Sequence, residues 1–190
     1  MQWEPDGRTS LLNDTQALDR FLAGIERRAF RIAHIATGDV DEAMDVVQDT
    51  MLKLVQRYGS RDEVEWGPLF HTILQSRIRD WHRRARVRDS WRRWLGKEQD
   101  DDERADPLES VADTGQVSSD ERLAIKRAGA TLEQALRTLP LRQQQAFLLR
   151  AWEELTVTET ACAMGCTEGS VKTHYFRAVR TLRTLLKDHW

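Results

Sequence analysis

The sequence predicts an all-α protein: two small helical domains joined by a flexible acidic linker, the second containing a helix-turn-helix. Three observations lead there. Apolar residues recur at three- and four-residue spacing through most of the chain, while β-branched alternation is scarce. Only four Pro and ten Gly punctuate 190 residues. The charge is segregated: residues 77–97 hold nine basic residues against two acidic, and residues 98–121 hold ten acidic against one basic. Blocks of opposite sign point to separate tasks, although the net charge is only −2. The length suits one large domain or two small ones.

Each element follows in order. Residues 1–13 read as an N-terminal tail. From 14 to 94 the pattern is a helical domain. Leu18, Phe21, Leu22, Ile25, Ala29, Ile32 and Ala36 line one face of a first helix. Gly38 and Asp39 interrupt it, and Asp39 or Asp41 can cap the next. That second helix carries Ala43, Val46, Val47, Met51, Leu54 and Val55 on one side. Its other side shows Asp41, Glu42, Asp45, Gln48 and Asp49. Residues 58–68 read as a polar loop with Gly59, Gly67 and Pro68. A third helix is expected from about Leu69 to Arg88 or beyond, packing through Phe70, Ile73, Leu74, Ile78 and Trp81. Residues 95–119 read as the acidic linker.

Residues 120–190 form the second helical domain. Leu132, Ala135, Leu136 and Leu139 make one stripe, which Pro140 breaks. The stretch TVTETACAMGCTEGSVKTHYFRAVRTLRTLLK at 156–187 then reads as a helix-turn-helix. Thr156 and Glu159 form a capping box. Gly165 can take the left-handed conformation of the turn. Thr167 can cap the following helix, with Glu168 at its positive end. Ala161, Gly165 and Val171 fall where close helix crossing, turn and packing require them. Such a unit places its second helix in the major groove of DNA. Here that helix offers Lys172, Thr173, His174, Phe176, Arg177, Arg180 and Arg183.

The pattern argues against several classes. There is no phosphate-cradling glycine loop, no nucleophile-and-base pair and no metal-ligand cluster, so neither catalysis nor a cofactor is expected. Cys162 and Cys166 lack further ligands and read as buried small side chains. Apolar runs are too short to span a bilayer, and no secretion signal is visible, so a cytoplasmic protein without membrane insertion is expected. Two rivals remain open. One is a transcriptional regulator whose first domain senses a ligand or dimerises. The other is an adaptor whose basic segment meets an acidic partner.

Three blocks carry a resemblance. They are DEAMDVVQDTMLKLVQRY at 41–58, PLFHTILQSRIRDWHRR at 68–84 and LRTLPLRQQQAFLLRAWEELTVTETACAMGCTEGSVKTHYFRAVRTL at 136–182. In this order the chain, from about Leu18 to Leu186, resembles the extracytoplasmic-function group of bacterial sigma factors. The resemblance implies a factor that binds RNA polymerase core, directs it to promoters and helps melt the DNA. It implies that Asp45, Gln48, Asp49 and Leu52 face a basic coiled coil of the largest polymerase subunit. It implies that Ser76, Arg77, Asp80, Trp81, Arg83 and Arg84 meet the minus-ten element, with a base flipped into a pocket partly formed by residues 61–67. Trp66, Phe70 and His71 offer flat side chains nearby. It implies that Thr173, Phe176 and Arg177 read the minus-thirty-five element, with Arg150, Lys172 and Arg180 on phosphates. An anti-sigma factor is implied as a further partner. The chain departs from the family pattern at Ser76, often Asn; Leu69, usually Trp; His174, commonly Arg; Val179, often basic; and Thr160, usually aliphatic.

Overall fold

The computed structural model describes residues 7–94 and 119–187. Seven α-helices are present among them: α1 (Gly7–Thr37), α2 (Val40–Tyr58), α3 (Glu63–Trp94), α4 (Ser119–Arg137), α5 (Leu141–Phe147), α6 (Val157–Met164) and α7 (Glu168–Leu185). A π-helical turn, Leu148–Trp152, extends α5. The acidic linker of the sequence reading lies outside the described residues.

The helix boundaries follow local chemistry. Gly38, at φ +73, closes α1, because only a residue without Cβ takes that conformation cheaply. Asp39 then caps α2, its carboxylate accepting from the backbone N–H of Asp41 at 2.9 Å and of Glu42 at 3.1 Å. At Pro140 the chain loses a backbone donor; α4 ends at Arg137 and α5 starts at Leu141.

Two boundaries differ from the sequence expectation. Helix α1 begins at Gly7, inside the stretch read as a tail ending at residue 13. Pro5 precedes this start and no Pro follows within α1, so nothing breaks the helix before the apolar stripe begins. Helix α3 begins at Glu63, with Gly67 and Pro68 inside it, so the loop shrinks from residues 58–68 to residues 59–62. Trp66 explains the early start. It is buried, packs its ring 5.8 Å from Phe21, and donates its indole N–H to the Tyr58 carbonyl at 3.2 Å. Pro68 is the sixth residue of α3, so the helix goes without the bond its N–H would make to the Val64 carbonyl.

The first half packs α1 against α2 and α3 around Leu18, Ile25, Ile32, Leu54, Phe70, Leu74 and Ile78, all buried. In the second half α5, α6 and α7 close over Ala146, Leu149, Ala161, Met164 and Val171. The main apolar core does not stop at the domain boundary. Leu136, Leu139, Leu148, Ala178 and Leu182 from the second half belong to the same cluster as the α1 and α3 residues.

Polar groups join the halves as well. Arg79 on α3 donates to the carbonyls of Ala163 at 3.4 Å and Met164 at 3.2 Å, the last turn of α6. The Gln145 amide donates to the Gln75 side-chain carbonyl at 2.8 Å, and both residues are buried. Gln144 reaches the Ile35 carbonyl at 3.4 Å. Glu153 turns its carboxylate inward, 3.5 Å from His71 and 3.8 Å from Arg28. The turn that delivers it is strained: Glu154 has φ +55, a left-handed conformation uncommon for a residue with Cβ.

Burial, reinforced by the Arg28 charge, pushes the His71 pKa down to about 4, while burial raises that of the Glu153 carboxyl. Unfolded His71 gains its proton near pH 6.5 and folded His71 only near 4, so its contribution to stability is lost as pH falls through that window. The loss should reach about 2 kcal/mol between pH 8 and pH 5, with Glu153 acting in the opposite sense. Urea unfolding of the native protein and of His71→Asn at both pH values measures it: the variant should show the shallower decline.

Candidate nucleic-acid and polymerase interface

The helix-turn-helix is built by the devices read from its sequence. Thr156 accepts from the Glu159 N–H at 3.2 Å, and Glu159 accepts from the Thr156 N–H at 2.7 Å, completing the capping box. The Thr156 hydroxyl also donates to Glu159 at 2.6 Å, and that bond, with the one from the Thr156 N–H, holds the Glu159 carboxyl below its ordinary pKa. Gly165 takes φ +61 and ψ +50 and ends α6. Thr167 accepts from the Ser170 N–H at 3.2 Å to open α7, and Thr158 donates to Glu168 at 2.8 Å across the turn. Val171 and Ala161 are buried between the helices. Thr160, also buried, satisfies its hydroxyl on the Thr156 carbonyl at 2.8 Å, so a polar residue fits where an aliphatic is usual.

The outer face of α7 is open. Lys172, Thr173, Phe176, Arg177 and Arg180 are exposed, and Phe176 is 68% accessible. A bare Phe flanked by Arg and Lys on a helix-turn-helix suits contact with a thymine methyl. Inward, Tyr175 stacks on Phe147 with ring centroids 6.2 Å apart, which fixes the rotation of α7. Burial and the charges of Arg142 and Arg177 lower the pKa of His174. Arg150 is half-buried and donates to the Leu155 carbonyl within its own domain, so part of its donor set orders the approach to α6.

On α3 the second half is basic and outward. Arg83, Arg84, Arg86 and Arg88 are exposed, while Ser76, Arg77, Asp80 and Trp81 are half-buried. Trp66, Phe70 and His71 are buried instead of presenting flat faces to a ligand. Of residues 61–67, only Arg61 and Asp62 lie outside α3.

On α2, Asp45, Gln48, Asp49 and Leu52 are exposed together. Beside them runs an apolar groove of about 390 Å³ between α1 and α2, lined by Ala23, Glu26, Arg27, Phe30, Met44, Val47, Gln48 and Met51. The α2 and α3 surfaces abut, since Arg77 lies 3.7 Å from Asp49. Glu42 accepts from the Trp81 indole at 2.7 Å and from Arg88 at 3.4 Å.

Sequence reasoning missed Glu42 as that bridge, and missed Arg79, Arg142 and Glu153. Arg142 joins Arg79 on the Met164 carbonyl at 2.7 Å. Nothing in periodicity marks a residue whose partner lies eighty positions away. The cysteines also depart from expectation: Cys162 is exposed and Cys166 half-buried. Cys162 lies on the outer side of α6, opposite the buried Thr160, Ala161, Ala163 and Met164, and Cys166 packs only partly against the second core. Among the described residues no group of side chains could hold a metal ion, and no helix is long and apolar enough to cross a membrane.

Because Gly165 has open space around the position a Cβ would take, Gly165→Ala carries backbone strain alone. It should cost about 1–2 kcal/mol in thermal or urea unfolding. A loss below about 0.5 kcal/mol would show that the turn tolerates a side chain.

Known proteins share these features. The model of sigma-70 region 4 matches residues 130–182, which contain the helix-turn-helix. The ECF RNA polymerase sigma factor BldN of Streptomyces coelicolor is 28% identical over 177 residues, 92% of this chain and 62% of BldN. The ECF sigma factor SigM of Mycobacterium tuberculosis is 26% identical over 174 residues, 91% of this chain and 79% of SigM. The chain thus spans somewhat under two thirds of BldN. Among solved structures, the sigma factor RpoE of Bartonella quintana, in complex with the anti-sigma factor NepR, shares the fold. It has a TM-score of 0.54 and 24% identity, with coverage of 95% of this chain and 96% of that one. The helix-turn-helix is matched by region 4, and nine tenths of the chain aligns with extracytoplasmic-function sigma factors at 26–28% identity.

Proposed function

We propose that the protein is a promoter-specificity subunit: it binds RNA polymerase core, carries it to promoters with minus-ten and minus-thirty-five elements and assists melting. The observation that carries this reading is the presence of two outward basic helix faces, one in each half of the chain, beside an acidic and apolar face on α2. A ligand-sensing regulator needs one DNA-reading helix, and an adaptor needs none.

The roles divide by chemistry. Asp45, Gln48, Asp49 and Leu52, with the neighbouring apolar groove, present carboxylates around apolar contact. That composition suits a basic coiled coil of the polymerase. Arg83 and Arg84, supported by Arg86 and Arg88, neutralise phosphates of the opened strand, while Asp80 and Trp81, one turn nearer the loop, and Ser76 and Arg77, two turns nearer, meet bases. On α7, Arg177 is placed to read guanine through two hydrogen bonds, with Thr173 and Phe176 on neighbouring bases. Lys172 and Arg180, with Arg150, anchor the backbone. The work is positioning and charge, with no bond chemistry of its own, and it belongs in the cytoplasm with the polymerase. An anti-sigma factor is proposed as a regulator, supported by the NepR complex of the RpoE neighbour.

Run-off transcription with purified bacterial core polymerase and a pool of genomic promoter fragments tests this. Discrete transcripts with fixed starts, absent with core alone, are the expected result. Absence of transcripts together with failure to bind core would overturn it. Asp49→Lys should weaken core binding in a pull-down through like-charge repulsion. Arg177→Ala should cost about 1–3 kcal/mol of binding and relax preference at one base of the upstream element.

A further inference from the structure

We propose that the stripe of Val87, Trp91 and Trp94 at the C-terminal end of α3 is a binding site for an unpaired DNA strand, separate from the residues assigned above to the minus-ten element. The site rests on the promoter reading, because only a protein that parts DNA meets such a strand.

The end of α3 stands away from the body. Among the described side chains from Arg86 to Trp94, all are exposed. Val87 is 53% accessible, Trp91 58% and Trp94 77%. Positions four and seven residues apart share one helix face, so the three side chains form a continuous stripe. The two indole rings meet edge to face, with centroids 5.8 Å apart. Paired bare indoles are costly in water, and the fold does not cover them.

The edges of the stripe are cationic. Arg83 lies four residues before Val87, while Arg84 and Arg88 lie three residues before Val87 and Trp91, so arginine borders the stripe on both sides. All three are exposed. Arg83 pairs with Asp80 at 3.2 Å and Arg88 with Glu42 at 3.4 Å, in solvent-open contacts that a phosphate can replace. Residues 81–94 carry six arginines against one aspartate.

This composition selects the occupant. A duplex closes its base faces within the stack and offers only edges and backbone. An unpaired strand exposes those faces, and an indole stacks on any of them while arginine holds the phosphates. The stripe also continues the proposed minus-ten surface. Trp91 lies about 15 Å beyond Trp81 along the helix axis, and about 40 Å from the first turn of α3. It is therefore out of reach of a base held at residues 61–67. A strand leaving Arg83 and Arg84 runs onto Trp91 and Trp94, which grip it without reading its sequence.

Anisotropy of a labelled oligothymidylate titrated with the full chain tests the site, with a hairpin duplex as the parallel probe. Trp91→Ala combined with Trp94→Ala should weaken strand binding at least about tenfold and duplex binding by less than about threefold. Ala is the better helix former, so such a loss is not a loss of helix. Trp91→Phe with Trp94→Phe should restore most of the affinity. The salt dependence should keep its slope in the Trp variants and flatten in Arg84→Ala, because stacking releases no counterions. No difference between the native and Ala proteins on the strand would sink the site, as would an equal loss on strand and duplex. If the Ala variant instead loses binding to phosphatidylglycerol vesicles or to core polymerase, with strand affinity unchanged, the stripe belongs to a membrane or a protein and the proposal is overturned. The DNA titrations contain no polymerase, so their failure leaves the promoter reading in place. Failure of run-off transcription by the native protein removes that reading, and the role of the site with it.

Discussion

Helix α3 is the member on which the rest depends, because both halves of the protein bury apolar surface against it. Phe70, Leu74 and Ile78 face the first-domain core, while Gln75 and Arg79 face the second domain. An isolated helix with Arg at nearly every turn would be held together poorly by its own propensities. Tertiary burial of one stripe stabilises it and leaves the opposite stripe free to concentrate charge. The apolar side sets the helix rotation, and the rotation decides which arginines point outward. Arg83, Arg84, Arg86 and Arg88 are exposed for that reason.

The same constraint shapes the acidic face of α2. Its buried positions, Ala43, Val46, Val47, Thr50 and Leu54, leave Asp45, Gln48, Asp49 and Leu52 together on the other side. Placing this face against a basic helix joins the two surfaces through Arg77–Asp49 and through Glu42 with Trp81 and Arg88. The two ion pairs, both open to solvent on one side, contribute little to stability, on the order of 0–1 kcal/mol each. Their effect is to orient side chains and to link the acidic face of α2 with the basic face of α3.

Much of this organisation was legible in the sequence. The helix-turn-helix is a local construction. Thr156, Glu159, Gly165 and Thr167 act on groups a few residues away, so spacing alone is sufficient to locate it. The α1 stripe and the Asp39 cap are equally local. The start of α3 was misplaced because Gly67 and Pro68 resemble a loop, whereas Trp66 is held by Phe21 and Tyr58 from other elements. The cysteines were expected to be buried because no further ligands accompany them, but Cys162 falls on the outer side of α6 and Cys166 is only half-buried.

What the sequence by itself determined is therefore what nearest-neighbour physics controls: helix periodicity, caps, the left-handed turn and the segregation of charge into blocks. Tertiary structure alone decided which polar residues serve within the fold and which face outward. Arg79 and Arg83 are the same residue type one turn apart on α3, yet one is bound to the end of α6 and the other is exposed. Glu153 and Glu154 are identical neighbours, and a backbone turn sends the first into a buried cluster and leaves the second in solvent. The reason is physical: a charge is stabilised by the groups that surround it in space, and here those groups come from helices far apart along the chain.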